Sequence, residues 1–143
     1  TGEEEIESSA YKRQLMIDAG WEQFKKTPLI GIGMGNSGHI TMETLGEDTY
    51  LHNNYVEILA CGGIVGFICF YASVVYLLIN LFKMLLKNNV NAILPFVILV
   101  IYTINQVAMV VYYSKSFYIY IVYCFLVVKK EKDKEKRMEL NYE

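Results

Sequence analysis

Four groups of residues have types and spacings that could do chemistry. Gly33-x-Gly35-x-x-Gly38 has the form of a dinucleotide-binding turn, with an acid, Glu57, about twenty residues on. That fingerprint needs a strand before it, a helix opening at the last glycine and a second strand carrying the acid. Here a helical pattern precedes the glycines and Glu57 falls inside another, so they read as a shaped turn. His39 and Glu43, four apart, could ligate a metal from one helix face, with Glu47, Asp48 and His52 nearby. Gly38 and Gly46 argue against a stable helix there, and the reading is a solvated loop with no metal. Arg13, accompanied by Lys12, Lys25 and Lys26, could bind phosphate oxygens through its planar fork. The plainer reading is a solvated helix face. His52, in His52-Asn53-Asn54, could accept a proton near neutral pH; the plainer reading is a histidine that opens a helix.

The elements that must position these groups follow from the pattern around them. Residues 1–7 (TGEEEIE) are a like-charge run and read as a solvated loop. Residues 8–26 read as an amphipathic helix, capped by Ser8 or Ser9, with Tyr11, Leu15, Met16, Ala19 and Phe24 near one face. Lys25 and Lys26 suit its C-terminal end, and Pro28 stops it. PLIGIGMGNSG (28–38) must turn tightly. Residues 39–51 read as polar and irregular. His52–Ala60 reads as a short helix broken by Gly62-Gly63.

Charge is distributed very unevenly. Residues 1–57 carry ten acidic and four basic side chains; residues 58–128 carry no acid and only Lys83, Lys87 and Lys115; residues 129–143 carry six basic and five acidic. The net charge of −2 conceals this, and hydrophobic residues reach 54%. Such a distribution belongs to a membrane protein and excludes a freely soluble monomer and a nucleic-acid-binding domain. Ile64–Phe82 is 19 residues without a charge, about 29 Å as a helix. Ile93–Tyr113 is a second uncharged stretch, of 21 residues, with Pro95 in its first turn. Phe117–Val128 is 12 residues and crosses only if the helix extends over 114–130 with its lysines snorkelling. Three spans put the Lys83–Asn91 connection and the basic tail on one side, which the lysine bias makes cytoplasmic. Residues 1–60 then lie outside the cytoplasm. Cys61, Cys69 and Cys124 form no CxxC and read as packing residues.

Read in order, Arg13, Trp21-x-x-Phe24, Pro28-Leu-Ile-Gly-Ile-Gly-Met-Gly-Asn36, His52-Asn-Asn-Tyr-Val-Glu-Ile-Leu59 and Gly63-Ile-Val-Gly66 form a combined pattern. It resembles the C-terminal part of the O-antigen ligase/polymerase family, over about residues 8–82. The family comprises bacterial multi-span glycosyltransferases that act on polyprenyl-diphosphate-linked glycans. The resemblance implies a large extracytoplasmic loop, here 1–60, that carries half of an active site. Most of the family's spans would lie upstream of Thr1, and the 143 residues alone would be inactive. It implies Arg13 as a ligand of the donor diphosphate, Asn36 and Asn53 as further substrate contacts, and His52 as the base. Gly31, Gly33 and Gly35 would shape the loop. His-Asn-Asn-Tyr in place of the His-Ser of lipid A–core ligases favours a polymerase. Further phosphate contacts would come from other loops.

The expected architecture is therefore an all-α integral membrane protein. A helical extracytoplasmic segment (1–60) is followed by three transmembrane helices within 61–128 (about 64–82, 93–113 and 114–130) and a charged cytoplasmic tail (129–143). The implied activity is glycosyl transfer in cell-surface polysaccharide synthesis (O-antigen, capsule or exopolysaccharide) at the bacterial inner membrane. The implied partners are a polyprenyl-diphosphate-linked glycan donor, a glycan or lipid acceptor and the bilayer, with no nucleic acid, cofactor or metal. The alternative is a non-catalytic three-span subunit whose polar segment binds a partner.

Overall fold

A computed structural model describes residues 2–140, and their side chains from Ser8 onward. The order is α1 (Gly2–Lys26), α2 (Ser37–Leu45), α3 (Asn54–Leu86), a 3₁₀ turn (Val90–Ala92), α4 (Ile93–Asn105) and α5 (Lys115–Leu140). No strand occurs among the described residues, as the all-α expectation requires. The chain forms two compact units. One runs to Phe70 and takes in Asn105–Tyr113; the other takes Tyr71–Ile104 and the chain from Ser114.

In the first unit, α1 starts at Gly2 rather than Ser8. The like-charge run at 3–5 is acidic, a residue type that favours the start of a helix over a loop. Met16, Ile40, Leu51, Val56 and Ala60 form the core, bordered by Ile17, Ala19, Ile32 and Leu45. Tyr11, expected on the buried face, is exposed. Gly20 takes the close contact: a Cβ there would lie 2.6 Å from Val56 Cγ1 and 2.7 Å from Leu51 Cδ1. The segment after Gly38 was expected to be irregular, yet α2 is helical through Leu45. Gly46 does not break α2. It ends it in a left-handed C-cap (φ 71°), its N–H donating to the Met42 carbonyl. The Thr41 hydroxyl, bonded to both the N–H and the carbonyl of Thr49, fastens the following loop to α2.

The break expected at Gly62-Gly63 is present, at Gly63 (φ 62°, ψ −166°), but the helix resumes and α3 continues to Leu86. In an unbroken helix Ile64 N–H would bond Ala60 O and Val65 N–H would bond Cys61 O. Here the Pro28–Gly33 turn is inserted between them. Ile64 N–H donates to Pro28 O (2.9 Å) and Val65 N–H to Leu29 O (3.1 Å). Ile32 N–H donates to Ala60 O (3.2 Å) and Gly33 N–H to Cys61 O (2.8 Å). Two helical bonds are replaced by four, so every backbone group opened by the kink is satisfied.

In the second unit, Val74, Leu77, Leu81, Leu99, Phe117, Cys124 and Val128 are buried. Tyr76 stacks on Phe125 at 5.5 Å, and the Tyr120 hydroxyl donates to Pro95 O at 2.7 Å. Lys87, just after α3, pairs with Glu135 on α5. Asp133 stands four residues from both Lys129 and Arg137, a spacing that supports helix in the charged tail to Leu140. The second expected span, 93–113, is helical only to Asn105. Residues 106–113 are also free of charge, but their backbone is bonded within the first unit instead. Among the described residues one helix, α3, is long and apolar enough to cross a membrane, and Val90–Asn105 is a shorter apolar stretch. Only 33% of the apolar window of α3 is buried.

Candidate functional site

Arg13 lies on the exposed side of α1, one turn before the buried Met16. No described carboxylate pairs with its guanidinium. The neighbouring Lys12 instead bridges to Glu47 at 3.1 Å, tying α1 to the segment that leads into His52. His52 is in a left-handed conformation (φ 54°). For a residue with a Cβ this costs about 1–2 kcal/mol, and it persists only where the surroundings enforce it.

The surroundings are specific. Leu51, immediately before, is fully buried, and its N–H donates to Glu57 Oε2 at 2.8 Å. Asn53, immediately after, opens α3: its Oδ1 accepts from Val56 N–H at 3.1 Å and its carbonyl from Glu57 N–H at 3.0 Å. Asn54 is fully buried. Its N–H and Nδ2 donate to the carbonyl and Oε1 of Gln106 (2.9 and 2.7 Å), and its Oδ1 accepts from Val111 and Tyr112 N–H (2.8 and 3.1 Å). The half-buried His52 ring lies 4.2 Å from the Tyr50 ring, and its nitrogens make no hydrogen bond among the described residues. Burial first, and then the Arg13 cation, hold the imidazole below its ordinary pKa of 6.5. The neutral form, with a free nitrogen lone pair, is thereby favoured at neutral pH.

Arg13 and His52 are thus brought within electrostatic reach of one another, with Asn53 beside His52. Asn36 precedes α2. Its Nδ2 donates to Ile32 O at 2.9 Å, inside its own turn. It lines two clefts of about 320 and 260 Å³ together with His39, one bounded also by Asp48 and the other by Gln23 and Glu43. Gly31, Gly33 and Gly35 all have positive φ (64°, 101° and 85°). His39 and Glu43 do sit on a helix, α2, but no three His, Cys, Asp or Glu among the described residues form a metal-holding group.

Sequence reasoning missed Glu57 as a structural centre. It is fully buried and accepts from Ser37 Oγ at 3.0 Å as well as from Leu51 N–H, with the Tyr112 hydroxyl a third partner. It lies before the Gly63 kink, outside Ile64–Phe82. Burial raises its pKa, while the Leu51 N–H and the Ser37 and Tyr112 hydroxyls oppose the rise. The available signal was its isolation: no other acid occurs between Asp48 and Glu131.

A polar helical segment presents an arginine and a histidine together and leads straight into a long apolar helix, as in a protein that acts at a membrane surface. Residues 3–71, just under half of the chain, match the model of the O-antigen ligase family, a membrane-associated family of glycosyltransferases, consistent with a C-terminal fragment of a member. The match ends one residue beyond Phe70, where the first unit leaves α3. It supports a general role in the ligation or polymerisation of polysaccharide. No curated protein and no solved structure matches the chain.

Proposed function

We propose that the chain is part of a glycosyltransferase that moves a glycan from a polyprenyl-diphosphate donor to a glycan hydroxyl, on the extracytoplasmic face of a bacterial inner membrane. The observation that carries this reading is that the charge of Arg13 reaches the half-buried His52, far from it in sequence, within the segment that matches the family. An acceptor hydroxyl is a weak nucleophile. The neutral His52 ring takes its proton as the new bond to C1 forms. The bond from C1 to the diphosphate oxygen breaks, and charge grows on the leaving polyprenyl diphosphate. Arg13, with no carboxylate partner among the described side chains, stabilises that charge. The donor is already activated, so the step needs no nucleotide.

The membrane topology proposed is three crossings, by the apolar parts of α3, α4 and α5. Two local groupings support it. Residues 105–113, which connect the second crossing to the third, share a compact unit with the segment that precedes the first. Lys87, between the first and second crossings, pairs with Glu135 of the tail. Three crossings put the members of each pair on one side. The outward apolar side chains of α3, including Ile68, Val75, Ile79 and Phe82, suit a lipid boundary.

The test is polysaccharide formed by cells that carry His52→Ala in the whole protein, with membrane level checked by blot. Loss of about 10²–10⁴ in rate is expected for removal of a general base. Wild-type polymer at wild-type protein level would sink the reading.

A further inference from the structure

The chain passes through His52 in a left-handed conformation that is strained for a residue with a Cβ, and the residues on either side of it hold the turn. On the far side, Asn53 and Asn54 are fixed by the start of α3 and by Gln106. On the near side the Leu51 side chain is packed in the core, and its backbone N–H has one acceptor, Glu57 Oε2. Glu57 is the fourth residue of α3, so its side chain reaches back over the first turn of its own helix to the residue two before the cap. This is the polar counterpart of a hydrophobic staple, which fixes the angle at which a chain enters a helix. The carboxylate is itself held: Ser37 Oγ, on the first residue of α2, donates to Oε1. The residue that sets the entry angle is therefore clamped from a second helix, and His52 is the residue whose direction that angle decides.

We propose that Glu57 is a positioning residue of the transfer reaction: through the Leu51 N–H, and steadied by Ser37, it holds the His52 imidazole in its place beside Arg13. This rests on the reading of His52 as the base. Glu57 is buried and touches no substrate; it acts through the backbone. A displacement of the base of about 1 Å is enough to cost on the order of 10²-fold in rate while leaving donor binding nearly untouched.

The experiment uses the whole protein in membrane vesicles, with the lipid-linked glycan extracted from the same strain as donor, and initial rates measured against donor concentration. Glu57→Ala should lower kcat by about 10–100-fold and leave KM for the donor within about twofold. Glu57→Gln can still accept from Leu51 N–H and donate to Ser37 Oγ, so it should recover at least half of the wild-type kcat. In a His52→Gln background, Glu57→Ala should cause no further loss, because neighbouring residues acting through one group are non-additive. Ser37→Ala, which loosens the clamp without leaving a buried carboxylate unbonded to Leu51, should lower kcat several-fold and serves if Glu57→Ala does not reach the membrane. Wild-type kcat in Glu57→Ala or in Ser37→Ala would overturn the inference. So would an equal loss from Glu57→Ala in both backgrounds, which is what general destabilisation would give. Those results leave His52 as base intact if His52→Gln alone is inactive. Full activity of His52→Gln removes the base reading and this inference with it.

Discussion

Gly31 and Gly63 each stand where a side chain would occupy the backbone of the other's segment. A Cβ on Gly31 would lie 2.3 Å from the carbonyl carbon and oxygen of Cys61, and a Cβ on Gly63 would lie 2.3 Å from those of Leu29. Both residues have positive φ. The inserted turn and the kinked helix therefore depend on two glycines that face each other across four hydrogen bonds. Gly31→Ala and Gly63→Ala should each destabilise the first unit by more than about 2 kcal/mol, through backbone strain and overlap together. Gly35 also has positive φ, but a Cβ there meets nothing within 4 Å. Gly35→Ala should cost only about 1 kcal/mol, the backbone part alone. Thermal unfolding of the detergent-solubilised variants measures the difference; equal losses at Gly31 and Gly35 would refute the close approach.

Arg13 should be visible in the pH dependence of the rate. The cation and burial both depress the His52 pKa, so the free base survives to a pH below 6.5 before the ring protonates and activity falls. Removing the cation takes away one of these causes. The acid limb of the residual activity in Arg13→Ala should move upward, towards the ordinary histidine value, in addition to any loss of donor affinity. Arg13→Lys keeps a positive charge and should keep the limb low, while losing the bidentate fork and part of the rate. An unmoved limb in Arg13→Ala would separate the two residues.

Asn53 offers a test of a side chain with two assignments. Its Oδ1 caps α3, and its amide is the substrate contact implied by the family pattern. Asn53→Asp preserves the capping oxygen and should leave thermal stability unchanged, whereas Asn53→Ala should lose about 1 kcal/mol. If the amide touches substrate, Asn53→Asp should also raise KM markedly. Unchanged kinetics in Asn53→Asp would assign the residue to the cap alone.

Topology can be read by thiol labelling of spheroplasts in a chain whose own three cysteines have been replaced. Glu43, Asn91 and Lys134 are exposed positions. Cysteine at Glu43 should react with an impermeant reagent from outside, and cysteines at Asn91 and Lys134 should react only after permeabilisation. Outside labelling at Asn91 would reverse the orientation.

The chemistry-bearing types were legible in the sequence, their arrangement much less so. Arg13 and His52 were singled out by the family resemblance, since their chemistry alone left the plainer readings of a solvated helix face and a helix-opening histidine. That they approach one another depends on Gly20 letting α1 close onto Leu51 and Val56, a tertiary contact with no periodic signature. Gly46 looked like a breaker and serves as a cap, because a glycine one residue past a helix and one inside it read alike. Residues 106–113 carry no charge and no proline or glycine that would mark the end of the helix before them. Only the Asn54 side chain, which takes two of their N–H groups, shows why they leave it. Glu57 was visible as an isolated acid, but its partners lie 6 and 20 residues away on different elements.

The bonds from Asn54 to Val111 and Tyr112 link residues 57 and 58 positions apart. A ribosome that has just released α3 has not yet made their other half. The stretch that carries His52 is therefore completed late, after α4 has been synthesised and the chain has doubled back. Until then the Asn54 amide must find water or a surrogate partner. Biogenesis thus has an order: synthesis of α4 precedes the locking of the histidine. A stall or cleavage between Leu86 and Gln106 would leave α1, α2 and the Pro28–Gly33 turn able to form, with the start of α3 unfastened on one side.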